Sequence, residues 1–244
     1  MKTRDYQELY DLEETYWWFV GRRLLVRQMV ERYAGRANLR LLDAGCGTGG
    51  TLSRMIGLGD LFGFDYSEFA LAFCRQRGFS LLAAGDLTAL PYCTDIFDVV
   101  LSCDVLEHVD DDFLGLAEMV RTLRQGGHLV LTLPAHAFLW SEHDEALSHR
   151  RRYSAKHLRK MLEEAGLEVV KLSPVVTVAF LPILAFRLLQ RLSPHRSDEP
   201  KTDLRELPRP LNNLLIDVLR LENWFLRRLN LPVGTSLVAV ARKR

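Results

Sequence analysis

"LLDAGCGTGG", residues 41–50, is the stretch that decides the fold. Its two leucines belong to an apolar run that begins at Leu39, and four glycines then fall within six residues. From Thr51 to Ile56 the pattern turns helical. A strand, a glycine turn and a helix in that order let the backbone turn sharply and approach a ligand closely. Gly45, Gly47 and Gly50 also satisfy G-x-G-x-x-G, so a nicotinamide dinucleotide is one occupant to weigh.

Outward from this loop, short apolar runs alternate with helical patterns. A helix is expected from Tyr16 to Tyr33, with Leu25, Met29 and Tyr33 along one stripe. Strands are expected at residues 39–45, 60–67, 80–86, 97–104, 127–134, 167–173 and 235–244. Helices fall between them at 68–77, 113–123 and 155–165, the last capped by Ser154 and stopped by Gly166. Strands apolar on both faces imply a mostly parallel sheet covered on both sides, a doubly wound α/β fold of seven strands.

Composition narrows the partners. At 244 residues, 48% of them apolar, the chain suits one domain with embellishments. A net charge of +1 provides no general attraction to nucleic acid, so none is expected as a partner. Four cysteines without a C-x-x-C pair fit free thiols in a reducing cytosol. The charged start, "MKTRDYQELYDLEETYWW", lacks a signal-peptide core, and the expected location is cytoplasmic.

Three acids favour another cofactor over a dinucleotide. Asp43 precedes the glycines, where a pyrophosphate gains nothing from a carboxylate and a cationic ligand does. Asp65 ends the second strand, placed to accept from ribose hydroxyls. Asp86 ends the third, where it can accept from an adenine amino group with Leu87 beside the ring. "LLDAGCGTGG", "GFDYS", "GDLTALPYCTDIFDVVLSCDVLEHVDD" and "LRQGGHLVLTLP" resemble, in order and spacing, the motifs of the class I S-adenosylmethionine-dependent methyltransferases. The resemblance runs from about Leu39 to Ser173, with the last strand added. It implies a Rossmann-like sheet with an antiparallel last strand, and S-adenosylmethionine as cofactor. By it, Asp43, Gly45, Cys46, Gly47 and Gly49 surround the methionine part. Asp65 and Tyr66 hold the ribose, Asp86 and Leu87 the adenine, and Ser102 and Cys103 the floor near the sulfonium.

Methyl transfer requires a positioned acceptor, and an oxygen acceptor also requires a base or a metal. Asp104, Glu107 and His108 follow the fourth strand, on one face if the run turns helically. His136, His143 and His149 follow the fifth. The arrangement is similar to the E-x-x-E-H metal motif of some methyltransferases, although position 104 is Asp. Asp104, Glu107, His108 and His149 are therefore the candidate ligands of a divalent metal, itself not the favoured reading. His149 is the preferred base or acceptor-orienting residue. His143 is the second choice, with Asp144 to orient it, and His108 the third candidate. Arg150 and Tyr153, in "SEHDEALSHRRRYS" (141–154), are candidates for acceptor contact. "YWWFVGRR" (16–23) resembles a helical segment that lies over the cofactor in relatives, making Trp17, Trp18 and Phe19 candidate lid and acceptor contacts. With "WSEHDEALSHRRRYS", it also resembles a bacterial subgroup marked by WWF-x-x-RR.

The expected organisation is a lid at 1–36, the cofactor-binding core at 37–173, a helical insertion at 174–231 and a closing strand at 232–244. Within the insertion, "HRSDEPKTDLRELPRP" (195–210) reads as an exposed connector. The apolar run from Val175 to Phe186 is too short to span a bilayer. In the later helix, Asn213, Asp217, Arg220 and Arg227 form a polar stripe that includes Trp224, which suggests a substrate, partner or membrane surface. The expected reaction is methylation of an oxygen or nitrogen of a small metabolite. Competing readings are methylation of lipid-linked or glycan intermediates at a membrane surface, cofactor binding without transfer, and nicotinamide-dependent reduction. Peripheral membrane contact and a homodimer are compatible with the late helices.

Overall fold

A computed structural model describes residues 3–35, 37–192 and 207–244. Its strands are β1 (Leu39–Ala44), β2 (Gly59–Asp65), β3 (Leu82–Ala84), β4 (Phe97–Cys103), β5 (Leu123–Pro134), β6 (Leu167–Val175) and β7 (Ser236–Lys243). They form one sheet in the order β3-β2-β1-β4-β5-β7-β6. Neighbours pair in parallel except β7, which runs antiparallel between β5 and β6. This is the Rossmann-like, doubly wound sheet expected. Its order reverses between β1 and β4, and the crevice beyond their C-terminal ends is where such sheets bind ligands.

The helices are α1 (Thr3–Glu13), α2 (Trp17–Tyr33), α3 (Gly50–Met55), α4 (Glu68–Gln76), α5 (Asp112–Thr122), α6 (Glu142–Ala146), α7 (Ala155–Glu164), α8 (Phe180–Leu192) and α9 (Arg209–Leu226). Period-2 alternation divides the strand side chains between two cores. Leu42, Val100, Leu129 and Leu131 pack under α5 and α7, with Leu116, Met119, Leu158 and Leu162. Leu41, Val99, Leu101 and Val130 face α2, α3 and α9, with Val26, Met29, Leu52 and Leu219.

The late helices are fastened to this frame. Gly21 allows α2 and α9 to approach closely, since a Cβ there would lie 2.2 Å from Leu219 Cδ1. Asn223 Nδ2 donates to Gly21 O at 3.1 Å, and Gln28 Nε2 donates to Asn223 O at 2.6 Å. Asn212 Oδ1 receives the Trp17 N–H at 2.9 Å, at the first turn of α2. Buried Glu222 accepts the N–H groups of Val176 and Thr177 at 2.5 and 2.9 Å, which ties α9 to the end of β6.

Some boundaries move. β3 shrinks to three residues, and β5 starts at Leu123, four residues before the expected Gly127, because Leu123 pairs with Phe97 across a register shift. The run after β4 turns only from Leu106 to His108, as a 3-10 turn. The connector expected at 195–210 lies, as far as residue 206, outside the described residues. Among the described residues no helix is long and apolar enough to cross a membrane.

Replacing Glu222 with Ala leaves two N–H groups without their acceptor in a largely buried setting. Each such loss costs about 1–3 kcal/mol. Urea unfolding of Glu222→Ala is expected to show a loss in that range or above, with Glu222→Gln intermediate. Equal stability of all three proteins would show that Glu222 does not hold α9 to the sheet.

Candidate active site

The glycine loop is fixed from both sides. Gly45, Gly47 and Gly49 all have positive φ (95°, 54° and 87°), the region that favours glycine. A Cβ at Gly45 would lie 2.3 Å from Val105 Cγ2, so the loop also needs glycine to pass the segment after β4. The N–H groups of Gly45 and Cys46 donate to Phe64 O at 2.7 and 2.9 Å. Asp65 accepts from Gly47 N at 2.8 Å and Ser67 N at 2.9 Å, clasping the loop to the end of β2.

Asp43 is the electrostatic centre of this cradle. It is buried, and neither carboxylate oxygen has a hydrogen-bond partner among the described residues. Burial pushes its pKa up to about 7, with Arg22 opposing and the charges of Asp65 and Glu13 adding to the rise. A buried unpaired carboxylate is costly unless a cation or donor meets it. The buried Ser102 hydroxyl is also unpartnered, and burial raises the Cys103 thiol far above the ordinary range. An orphaned acid, an orphaned hydroxyl and a glycine cradle fit a cofactor carrying a cationic head and a ribose.

The adenine side departs from expectation. Asp86 is exposed, and its carboxylate is held below the usual range by the Thr88 N–H and hydroxyl at 2.8 and 2.7 Å. Leu87 packs into the core under α5, against the position of Gly115. Tyr66 is 83% exposed.

Two elements that local patterning did not single out close the cradle. Glu13, at the end of α1, accepts from Thr48 Oγ1 at 2.5 Å and pairs with Arg77 at 2.6 Å. Arg22 of α2 forms an ion pair with Asp104, stacks on the Trp18 ring at 4.7 Å, and contributes to the field at Asp43. Trp18, Arg22, Asp104, Thr132, Glu222 and Asn223 help line a crevice beyond β4 and β5. Its free volume of about 20 Å³ has room for about one water. Of the three candidate lid aromatics, Phe19 is buried and Trp17 packs on the α2-side core, while Trp18 lines the crevice.

Beside the crevice, the sequence cluster 141–154 resolves into separate roles. His149 Nδ1 lies 2.9 Å from Asp144 Oδ1, and its Nε2 lies 4.0 Å from Glu107 Oε1. Asp144, expected beside His143, thus orients His149 instead. His143 stands further off, with ring centroids 6.5 Å apart. Despite burial, the hydrogen bonds from His149 and Arg152 bring Asp144 down to about 2. Glu107 is fully buried with both oxygens unpartnered, and burial together with the charge of Asp104 pushes its pKa well up. Burial and the neighbouring His149 bring His108 down to about 4.

The candidate metal set changes accordingly. Donor atoms of Glu107, His108 and His149 lie within 4.8 Å of one another. Asp104 is not among them, because Arg22 and Thr132 Oγ1 (3.0 Å) hold its carboxylate. The candidate acceptor contacts after the cluster are also corrected. Tyr153 is 1% exposed and donates to Asp112 Oδ2 at 2.8 Å, so it packs. Arg150 pairs with Asp110 and donates to His108 O, Arg151 pairs with Asp112, and Arg152 pairs with Asp144. All three arginines of the run therefore brace loops.

Residues 42–131 match the family described as a methyltransferase domain. A Mycolicibacterium smegmatis protein named "Probable S-adenosylmethionine-dependent methyltransferase" is 32% identical over 162 residues, which is 65% of this chain and 62% of that protein. The 27-O-demethylrifamycin SV methyltransferase of Amycolatopsis mediterranei is 32% identical over 117 residues, 43% of each chain. The chain thus spans less than two thirds of the length of either relative. Among solved structures, phosphoethanolamine N-methyltransferase 2 of Haemonchus contortus with S-adenosyl-L-methionine superposes with a TM-score of 0.61 at 18% identity. That match covers all of this chain and 60% of the other, and it shows the fold.

The lowered pKa of Asp144 makes a stability prediction. Its folded pKa of about 2 lies below the ordinary 3.8, so this stabilisation is present above pH 4 and lost as pH falls towards 2. The part owed to Asp144 is about 2 kcal/mol. Urea unfolding between pH 5 and 2 should show that component in the native chain and not in Asp144→Asn. Identical pH dependence in the two proteins would refute the assignment.

Proposed function

We propose that this chain is a class I S-adenosylmethionine-dependent methyltransferase that transfers a methyl group to an oxygen or nitrogen of a small-molecule acceptor, with His149 as the base. The observation that carries this reading is the Asp144–His149 pair, which leaves Nε2 of His149 directed toward the fully buried Glu107 beyond the ends of β4 and β5. When bound, S-adenosylmethionine supplies an electrophilic methyl on a sulfonium.

Each residue then has a physical task. Asp43 offers its unpaired carboxylate to the cationic part of the cofactor, and Gly45, Cys46, Gly47 and Gly49 allow close backbone approach. Asp65 accepts from the ribose hydroxyls while holding the loop, and Ser102 and Cys103 floor the site. Nε2 of His149 takes the acceptor proton, and Asp144 stabilises the imidazolium that results. Arg22 and Trp18 line the crevice on the acceptor side of the sheet. The similarity to the 27-O-demethylrifamycin SV methyltransferase supports a small-molecule acceptor here.

A second reading rests on one observation, the convergence of Glu107, His108 and His149. Glu107 brings two unpartnered buried oxygens, and Asp144 fixes the Nδ1 side of His149, leaving Nε2 for a ligand. These three would hold a divalent cation, which would lower the pKa of an acceptor hydroxyl. Under this reading Mn²⁺ or Zn²⁺ raises Tm in chelator-treated protein and fails to do so in His108→Ala. Unchanged Tm in both proteins removes the metal.

Cofactor identity is read by thermal shift. S-adenosylmethionine at 100 times its Kd should add about 2.7 kcal/mol of stability, and NAD(H) none. The reverse result would sink the methyltransferase reading. Because Asp43 has its pKa near 7, it becomes fully ionised only above neutrality, so affinity should rise between pH 6 and 8. Asp43→Asn should bind more weakly and flatten that rise; an unaltered profile would exclude Asp43 from the site. With labelled cofactor and a panel of hydroxyl and amine acceptors, His149→Ala should lose about 10²–10⁴ in turnover while retaining cofactor affinity. Native turnover in that variant would remove His149 as base.

A further inference from the structure

α9 carries its apolar residues on the side facing outward. Leu211, Leu214, Val218, Leu221 and Phe225 follow each other at spacings of three, four, three and four, which defines one helical face. The four large residues at 211, 214, 221 and 225 are 44, 58, 57 and 41% exposed. The buried face of the same helix includes Glu222 and Asn223 beside Leu219 and Leu226. Hydrophobic burial within this fold therefore does not account for the outward stripe. α8 repeats the pattern: Leu181, Phe186, Leu188 and Leu189 are between 49 and 71% exposed.

Charge selects the occupant. On the opposite flank of the exposed surface of α9 and the turn after it lie Arg209, Arg220 and Arg227, with the exposed Trp224 between that line and the apolar stripe. Arg228 follows, also exposed, and Asp217 is the exposed acid of the helix, paired with Arg220 at 2.8 Å. An apolar face flanked by basic residues and an indole is the pattern of a helix lying in a lipid interface. A second copy placed on this face by a two-fold axis across α9 would bring its own arginines to the same side as these. Anionic headgroups instead complement them.

The geometry points to a peripheral membrane-docking face on α8 and α9 that binds anionic lipid. The buried flank of α9 lines the acceptor crevice through Leu219, Glu222 and Asn223, on the helix whose outward flank would meet lipid. Resting on the proposed methyl transfer, this placement makes the acceptor an amphiphile drawn from the membrane.

Co-sedimentation of the full chain with phosphatidylglycerol–phosphatidylcholine vesicles and with pure phosphatidylcholine vesicles tests this. Binding to the anionic vesicles is expected to exceed the other by about tenfold or more. The double variant Leu214→Glu/Leu221→Glu should lose it, with unchanged Tm and unchanged stabilisation by S-adenosylmethionine. Arg228→Glu should weaken binding to the anionic vesicles only. No binding to either vesicle, or full binding by the double variant, overturns the proposal. A concentration-dependent dimer that the double variant dissociates, without vesicle binding, assigns the face to a second copy and overturns it as well. Loss of stabilisation by S-adenosylmethionine in the native chain, with vesicle binding intact, would strike the methyltransferase reading and leave the docking face standing.

Discussion

Asp43 sits at the C-terminal end of β1 with two carboxylate oxygens and no partner, in a place from which water is almost wholly excluded. Much of the surrounding architecture is organised around that unsatisfied charge. Three positive-φ glycines wrap the space beyond it, Asp65 locks those glycines to β2, and Arg22 supplies the nearby compensating charge. The parallel sheet makes this tolerable, because the rigid strands on either side prevent collapse onto the carboxylate. A cationic ligand is then favoured by the field alone, before any particular contact is made.

The acceptor side follows a different physical logic. There, burial drives Glu107 upward and His108 downward, while hydrogen bonds from His149 and Arg152 take Asp144 far down. A site with such divided protonation can move a proton or hold a cation. Asp104, which seemed to belong with this group, is committed to Arg22 and Thr132 and so ties the lid helix to the sheet.

The parts of the fold legible in the sequence were those set by local chemistry. The glycine turn, the two-faced apolar strands and the Ser154 cap each announce themselves within a dozen residues. The parts that escaped depend on contacts distant in sequence. Nothing near Glu13 signals that it will meet Thr48 and Arg77, 35 and 64 residues away. Position 144 lies one residue from His143 and five from His149, yet the short helix α6 turns it to the latter. Arg150 and Arg151 read as available for an acceptor because their acids, Asp110 and Asp112, lie some forty residues upstream. That Leu87 joins the core likewise depends on α5, some thirty residues downstream.

The tethers between α2 and α9 also bear on the order in which the molecule comes together. Trp17 meets Asn212 and Gly21 meets Asn223 across sequence separations of 195 and 202 residues. Contacts of such separation carry a large loop-closure cost and form late. The helix α2 already packs on the strands up to β5, yet its tethers to Asn212 and Asn223 wait for α9. Closure of the site is thereby coupled to the seating of α9 on α2.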